Sequence, residues 1–371
     1  MLVELAREFA DDELIPNAEK WDTEGTFPKE AIDKAREMGL LNCTIPEAYG
    51  GMGLSFLEEA MINEELGRGD PGFATITGVT MLACHPVIFA GTDEQKAEYL
   101  GRVVNGEISA YCVTEPGAGS DVKSISTTAV LEGDNYVING AKMWIGGAGY
   151  ADWFYVLART DDTDSYDSFS GFIVEANSEG LEVGKKENKM GQRCSDTRGV
   201  RFHNVKVPKE NLLGGKEGGG WLQAMVAFDR CRPMLSSHAL GNARGAMEEA
   251  WQYSNERMTF GKPIFEHQSI SFMLADMSTK IECARLLTYK AANLLDKGER
   301  ATLESAHAKR YAADIGMEVT TDAVQIFGGY GYSEEFPAAR RMRGAKIYQI
   351  FGGSSQIQRL IIGRELNKKY K

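Results

Sequence analysis

The segment YCVTEPGAGSDV, residues 111–122, combines glycines and hydroxyl residues at close spacing. Gly117 and Gly119 leave backbone N–H groups uncovered, and the hydroxyls of Thr114 and Ser120 add further donors. Donors of this kind suit a pyrophosphate and the polar edge of a heterocycle. The alternative is a glycine-rich turn between two lobes, and the segment alone leaves both interpretations open.

The cysteines offer no comparable constellation. They are scattered, without a CxxC pair or metal-ligand spacing: Cys43, Cys84, Cys112, Cys194, Cys231 and Cys283. We therefore expect no disulfide scaffold and no metal site, and a reducing compartment fits better. The formal net charge of −12 argues against a broad surface for nucleic acid.

The N-terminal sequence MLVELAREFADDELIPNAEKW is too charged for the apolar core of a signal peptide. No apolar run approaches the ~20 residues that span a bilayer, so we expect no membrane contact. The expected location is the bacterial cytoplasm, or the mitochondrial matrix if a transit peptide has been removed.

The elements that must position these residues fall into three stretches. A chain of 371 residues can bury a large core and divides into two or three lobes. Residues 1–108 have helical periodicity, residues 109–215 consist of short alternating runs, and residues 216–371 return to the helical period. The Gly-Asp-Asn in LEGDNYVING predicts a hairpin within an antiparallel β-domain.

Two apolar stripes in the C-terminal stretch predict helices of a bundle core. The first consists of Ile270, Met273, Leu274, Met277 and Ile281, and the second of Ile357, Leu360 and Ile361.

Six motifs in this order resemble the acyl-CoA dehydrogenase family. They are YCVTEPGAGSDV, NKMGQRCSDTRGVRF, AFDRCRP, ERMTFGKPIFEHQ, DAVQIFGGYGY and SSQIQRLIIGREL, and they cover essentially the whole chain. MGQRCSDTRG and AFDRCRP are most similar to the medium-chain type. The resemblance implies a mainly α fold, with an N-terminal helical domain, a middle antiparallel β-barrel-like domain and a C-terminal four-helix bundle.

The function implied by the resemblance is FAD-dependent α,β-dehydrogenation of acyl-CoA thioesters to enoyl-CoA. Electrons would pass to an electron-transfer flavoprotein, and the enzyme would be a homotetramer, a dimer of dimers. The resemblance also implies FAD contacts in the β-domain, in the ERMTFGKP segment and in the DAVQIFGG and SSQIQR segments. These cofactor residues are Tyr111, Val113, Thr114, Gly119, Ser120, Trp144, Gly146, Arg257, Thr259, Phe260, His267, Gln325, Gly328, Gly329, Ser354 and Gln356.

Several of these positions have ordinary alternatives. Trp144 resembles the tryptophan that packs on the flavin ring, but it could equally be a core residue of the β-domain. Arg257 would bind the diphosphate held by a neighbouring subunit, although a lone arginine is more often a surface charge. At Gly146 the family usually places threonine or serine, which donates a hydrogen bond to flavin N5.

Four residues match positions near the acyl-CoA substrate: Ser120, Asp229, Arg232 and Arg364. Ordinary ion pairing is the alternative for Asp229 and the two arginines. Ser195 is a weaker candidate.

The usual catalytic base is missing. The family's glutamate precedes the SQIQR helix, and this chain reads IFGGSSQIQR, with Gly352 at that place. A second subgroup carries its glutamate where this chain has Cys231. The backbone N–H of Gly352 is still expected to polarise the thioester carbonyl, but turnover would be severely reduced. Cys231 is a poor substitute, because burial raises a thiol's pKa.

Gly344 stands where the family pattern has aspartate. With Gly146 and Gly352, it predicts either a diverged paralogue or an engineered protein in which the flavin pocket is enlarged and dehydrogenation is silenced. Two alternatives to the dehydrogenase stay open: a repurposed flavin catalyst of the enoyl-thioester reductase type, and a non-catalytic protein that binds FAD and acyl-CoA. Acyl chain length is not predicted.

Overall fold

The computed structural model describes residues 1–371, in the order helices, β-sheet, helices. The N-terminal helices are α1 (Leu2–Phe9), α2 (Ile15–Glu24), α3 (Lys29–Glu37), α4 (Phe56–Gly69), α5 (Pro71–Ala90) and α6 (Asp93–Val104). Local signals set the boundaries of the two helices that matter for the site. Ser55 and Glu58 form a capping box at the start of α4. Asp70 caps α5, whose first residue is Pro71.

Helix α5 corrects the expectation that no apolar run is long enough to span a bilayer. Its mean hydropathy reaches 1.6 over 18 residues, and its 20 residues are sufficient in length. However, 72% of that window is buried inside the protein. The helix packs against β1 and the long helix of the C-terminal region, so its apolar character is that of a core helix.

The β-domain contains seven strands: β1 (Ser109–Cys112), β2 (Thr128–Glu132), β3 (Asn135–Gly146), β4 (Trp153–Arg159), β5 (Phe169–Glu175), β6 (Leu181–Lys186) and β7 (Thr197–Pro208). The predicted hairpin is present as β2–β3, with Gly133 at φ +63° in its turn. The sheet is mixed rather than purely antiparallel, because β4 pairs in parallel with β1 and with Thr128, the first residue of β2.

The C-terminal region begins with the 37-residue helix α7 (Gly220–Glu256). A two-stranded hairpin of β8 (Met258–Thr259) and β9 (Lys262–Pro263) follows. The remaining helices are α8 (Gln268–Asp296), α9 (Thr302–Phe327), α10 (Pro337–Ala345) and α11 (Ser355–Lys369). Helices α7, α8, α9 and α11 form the predicted bundle, and α7 also packs along α4 and α5. Helix α7 therefore joins the two helical regions.

The two predicted apolar stripes differ in their burial. On α8, Leu274, Met277 and Ile281 are buried as expected. On α11, Leu360 is 68% exposed, so the second stripe does not face the core of this chain. The predicted divisions after residues 108 and 215 fall between elements and stay predictions.

A buried ion pair braces the loop after β1. Lys142 Nζ lies 2.9 Å from Glu115 Oε1, and both side chains are buried. Glu115 also accepts hydrogen bonds from the N–H and hydroxyl groups of Ser126 and Thr127. Burial raises the pKa of Glu115, but the Lys142 charge and these bonds outweigh it and lower the pKa to about 2.

Lys142→Met should destabilise the protein by about 3–5 kcal/mol, because it leaves a buried carboxylate without its partner. The deficit should shrink as pH falls from 7 towards 4, since a protonated Glu115 no longer needs the cation. Thermal unfolding followed by circular dichroism measures both effects. Lys209→Met, which breaks the exposed pair with Asp134, is the control. Equal losses in the two variants would contradict the assignment.

Candidate active site

The loop after β1 presents several polar groups that have no partner within the chain. The backbone N–H groups of Gly117, Gly119 and Ser120 donate to no acceptor, and neither do the hydroxyls of Thr114 and Ser120. All of these residues except the half-buried Thr114 are exposed. Unpaired donors on a loop braced by a buried ion pair fit the pyrophosphate and polar heterocycle edge of a dinucleotide cofactor such as FAD.

The side chains of two predicted cofactor residues in this loop are used elsewhere. Tyr111 is buried, stacks on Tyr155 with ring centroids 5.1 Å apart, and donates its hydroxyl to the Ala224 carbonyl 3.3 Å away. Val113 is buried, and its carbonyl accepts from Lys142. Neither side chain is free for a ligand, so any contact from Val113 has to be made by its backbone.

Trp144 is not a core residue. Its side chain is 59% exposed, and its backbone is left-handed at φ +63°, a conformation that bulky residues rarely adopt. A held, exposed indole at the end of β3 is the arrangement expected for packing on a flat ring.

At the neighbouring Gly146, the side chain of Val79 fills the space that a threonine or serine side chain would need. A Cβ there would lie 2.7 Å from Val79 Cγ1 of α5.

The ERMTFGKP segment forms a second cluster on the β8–β9 hairpin. The hydroxyl of Thr259 and Nε2 of His267 are 3.1 Å apart, and Phe260 is 96% exposed. Arg257 is exposed, forms no ion pair, and lies over the ring of Tyr330 at 5.7 Å. An arginine without an anion beside an exposed aromatic residue is free to bind a ligand.

The other predicted residues of this second set lie at helix ends. Gln325, Gly328 and Gly329 are exposed at the end of α9. Ser354 caps α11 by accepting from the Ile357 N–H, while Gln356 is exposed. No hydrogen bond joins this set to the loop after β1 within the chain.

The predicted substrate residues are dispersed. Asp229 and Arg232 form an ion pair on α7, and Thr302 donates to the other oxygen of Asp229 at 2.8 Å. Arg232 is buried, which favours the ion-pairing alternative for both residues. Arg364 is 62% exposed on α11 and lies 3.6 Å from Glu365.

Ser195 is buried, and its carbonyl accepts from Lys189. This environment does not favour the weaker assignment of Ser195 to the substrate.

A left-handed turn precedes α11 at the place of the missing base. Gly352 and Gly353 have φ +61° and +82°. The N–H of Gly352 donates to no acceptor in the chain. Side chains bind the backbone carbonyls of this turn. Lys309 Nζ donates to the carbonyl of Gly353 and to that of Tyr348, which precedes the turn, both at 2.7 Å. The side-chain amide of Gln358 donates to the carbonyls of Gly352 and Gly353. The turn therefore presents a fixed, unpaired N–H.

The space that a side chain at 352 would enter is also filled. A Cβ there would lie 2.4 Å from Leu235 Cδ1 of α7 and 3.8 Å from Lys309 Cε.

Gly344 is buried against Pro71 and Gln192. At all three glycines, neighbouring side chains occupy or border the space that a Cβ would enter, which does not favour an enlarged flavin pocket.

Cys231 lies in the interior of α7. Burial raises the pKa of its thiol to about 12, and its sulfur is 3.4 Å from the Phe228 carbonyl. This agrees with an inert packing cysteine rather than a proton acceptor.

Sequence analysis missed Val79, Leu235 and Lys309. No motif marks the two apolar residues, since only the fold brings them to the glycines. The lysine carried no clear signal, because polar and charged residues make up half of its surroundings in SAHAKRYAAD.

The three regions match sequence models of one family. The "Acyl-CoA dehydrogenase" N-terminal, middle and C-terminal domains match residues 1–107, 110–205 and 218–367. This chain belongs to the acyl-CoA dehydrogenase family. Members of the family are FAD flavoproteins that oxidise acyl-CoA in fatty acid metabolism, and the polar loop after β1 fits that cofactor.

Individual relatives cover nearly the whole chain. A probable medium-chain specific acyl-CoA dehydrogenase 2 of Caenorhabditis briggsae is 44% identical over 97% of this chain and 88% of the relative. The structure of butyryl-CoA dehydrogenase from Megasphaera elsdenii is 42% identical, with a TM-score of 0.96 over 98% of this chain and 97% of the other. A structure described as electron transferring flavoprotein of Acidaminococcus fermentans is 44% identical, with a TM-score of 0.96 over 99% and 97%.

Gly146→Thr should destabilise the FAD-loaded acyl-CoA dehydrogenase by about 1–3 kcal/mol, because its Cβ overlaps Val79. Val79→Ala in the same chain should recover most of that loss and permit a hydroxyl at 146. Thermal unfolding of the FAD-loaded single and double variants is the measurement, with Val79→Ala alone as control. If the double variant were no more stable than Gly146→Thr, the two positions would not share the space.

Proposed function

We propose that this chain catalyses FAD-dependent α,β-dehydrogenation of acyl-CoA thioesters to enoyl-CoA, with turnover reduced because Gly352 replaces the carboxylate base. The observation that carries the proposal is the unpaired N–H of Gly352 in a rigid left-handed turn. A fixed N–H of this kind stabilises the negative charge that develops on a thioester oxygen when the α-proton becomes acidic.

Different residues of the chain are proposed to bind the cofactor and the substrate. Bound FAD supplies the hydride acceptor. The loop of Thr114, Gly119 and Ser120 holds and orients the cofactor through its unpaired donors. Trp144 covers the ring, and Gly352 binds the thioester oxygen. Ser120 and Arg364, both exposed, are assigned to the polar and anionic parts of coenzyme A.

The proposed assembly is a homotetramer. Large apolar side chains are exposed on the outer faces of the bundle helices, including Trp251, Phe272, Leu286 and Leu360. Surfaces of this kind are typical of subunit contacts. Arg257 and Gln325 are proposed to reach the FAD of a neighbouring subunit, since both are exposed and neither side chain is hydrogen-bonded to the loop after β1 in its own chain.

Electrons are proposed to leave through an electron-transfer flavoprotein, which agrees with the description of the Acidaminococcus relative. The proposed location is the bacterial cytoplasm or the mitochondrial matrix.

One alternative has an observation in its favour. Leu235 Cδ1 would lie 2.4 Å from a Cβ at 352, so it occupies the space that a glutamate side chain would have to enter. An apolar group at that point favours a protein that binds FAD and acyl-CoA without turnover.

The missing carboxylate can be restored. A glutamate at 352 has to adopt φ +61° and displace Leu235, so Gly352→Glu alone should be strained. Combined with Leu235→Ala, it should raise the rate of anaerobic flavin reduction by octanoyl-CoA at least ~10²-fold over Leu235→Ala alone. Stopped-flow absorbance measures this rate. The pH profile should gain one ionisation, raised above that of a free carboxyl by desolvation.

The control for this pair is Leu235→Ala with Gly352→Gln, which has the same shape without a base. If the glutamate variant binds FAD and octanoyl-CoA but reduces no faster than the glutamine variant, Gly352 is not the position of the missing base.

A further inference from the structure

The direction of the acyl chain in the proposed complex follows from two contacts of α7. The loop after β1, which is proposed to hold coenzyme A, lies beside the start of this helix, because the Tyr111 hydroxyl donates to the Ala224 carbonyl at 3.3 Å. Leu235, which borders Gly352, lies about 16 Å further along α7 at 1.5 Å per residue. The part of the acyl chain beyond the reacting carbons, the acyl tail, therefore points to the next turn of α7, where His238 lies.

His238 packs against α5 at a glycine. A Cβ at Gly78 would lie 3.0 Å from His238 Cε1 and 3.0 Å from Met234 Cε. The His238 side chain is fully buried. Met234 is unbranched, and a flexible side chain of this kind changes rotamer to make room for a ligand. The imidazole edge and the α5 backbone thus form the end of the space that lies behind Leu235.

The hydrogen bonds of His238 fix its tautomer. Its Nε2 lies 2.7 Å from Oδ1 of Asn63 on α4. The Asn63 amide is oriented by its Nδ2, which donates to the Glu59 carbonyl at 2.8 Å, so Oδ1 accepts and Nε2 carries the hydrogen. Burial lowers the pKa of the imidazole to about 3, so the ring is neutral at physiological pH. Nδ1 of His238 therefore presents a lone pair.

This lone pair has no partner in the chain. Nδ1 of His238 is buried, and no donor lies within hydrogen-bond distance. Thr75, one turn before Gly78 on α5, has a second buried hydroxyl without a hydrogen-bond partner. Buried polar atoms are rarely left unpaired, because the lost hydrogen bonds to water are not replaced. The end of the space behind Leu235 is therefore polar and incomplete without a ligand.

The neutral imidazole selects the chemistry of that ligand. A lone pair accepts a hydrogen, so the matching group on an acyl tail is a donor such as a hydroxyl. A carboxylate has no hydrogen to donate. Burial is the only cause of the shifted pKa of His238, so no charged group acts on the ring that could neutralise an anion. An alkyl tail would leave Nδ1 unpaired.

We propose that His238 is a specificity-determining residue, and that this enzyme prefers acyl thioesters that carry a hydroxyl near the end of the acyl chain. The hydroxyl donates to Nδ1 of His238. The inference rests on the proposed function, which places the thioester at Gly352. Because His238 meets the acyl tail and not the reacting carbons, it acts on the affinity for the substrate.

Binding of matched thioesters tests the proposal. FAD-loaded protein is titrated by calorimetry with butyryl-, hexanoyl- and octanoyl-CoA and with 4-hydroxybutyryl-, 6-hydroxyhexanoyl- and 8-hydroxyoctanoyl-CoA. An apolar site binds the hydroxylated member of each pair more weakly, because the hydroxyl loses its water. We expect the opposite order in at least one pair, with the hydroxyacyl thioester bound about 3–10-fold more tightly. Adipyl-CoA, which ends in a carboxylate, should bind more weakly than hexanoyl-CoA.

Two substitutions separate the lone pair from the structural role of the histidine. His238→Gln places an amide where Nε2 was and can keep the bond to Asn63, but it has no acceptor at the position of Nδ1. His238→Asn places its amide oxygen near that position and loses the bond to Asn63. The preference for the hydroxyl should disappear in the glutamine variant and persist in the asparagine variant. Ser237→Ala is the control and should keep the parental preference, since the Ser237 hydroxyl is bonded to the Pro233 carbonyl at 3.1 Å.

The proposal is overturned if every alkyl thioester binds the parent at least as tightly as its hydroxylated partner, a result that needs no variant to fold. An ordered water that alone satisfies Nδ1 would give this result. A hydroxyl preference that survives in His238→Gln also overturns it. If alkyl thioesters bind and reduce the flavin without a hydroxyl preference, only this proposal fails. If no thioester of either series binds, the proposed function fails with it.

Discussion

The left-handed turn at Gly352 and Gly353 is the constraint on which the proposed chemistry depends. Two successive positive φ angles place an unpaired N–H at the end of the bundle, where α11 begins. Glycine adopts this conformation at no steric cost, whereas any other residue is strained by about 1–2 kcal/mol. Lys309 and Gln358 fix the turn from behind through its carbonyls. The oxyanion contact is therefore independent of the side chain at 352.

The glycines at 146 and 352 share a second feature. Each stands where the family resemblance predicts a polar side chain, and at each an apolar side chain from a long helix fills the space. Val79 of α5 does so at 146, and Leu235 of α7 does so at 352. A protein interior tolerates neither an empty methyl-sized volume nor an overlap. Apolar packing thus takes the place of the family's polar side chains. A polar residue restored at 146 or 352 therefore has to be combined with a smaller residue at Val79 or Leu235, respectively.

The fold and its order were predictable because periodicity and motifs report them directly. The helical stripe of α8 and the β2–β3 hairpin were confirmed on local signals alone. The parallel pairing of β4 and the exposure of Leu360 were not predictable. Strand partners depend on contacts distant in sequence, and an amphipathic pattern does not distinguish the core of one chain from a contact with another.

In the candidate site, too, some residues were predictable from the sequence and others depend on contacts distant in sequence. The donors around Gly119 were predicted from residue type and spacing and Trp144 from the family resemblance, and the exposure of Gly119, Ser120 and Trp144 agrees with those predictions. Val79, Leu235 and the environment of Lys309 could not be predicted, since tertiary packing alone determines which residues are neighbours. Tyr111 was assigned to the cofactor, yet its side chain packs in the core.

The central claim is that this protein binds FAD and acyl-CoA while the carboxylate base at position 352 is missing. Anaerobic addition of octanoyl-CoA to the FAD-loaded protein tests this claim most directly, with the flavin absorbance band followed over time. The account predicts an immediate shift of the band on binding, followed by slow bleaching at a rate at least ~10²-fold below that of the carboxylate-restored variant. Bleaching as fast as binding, or no change in the band at all, would contradict it.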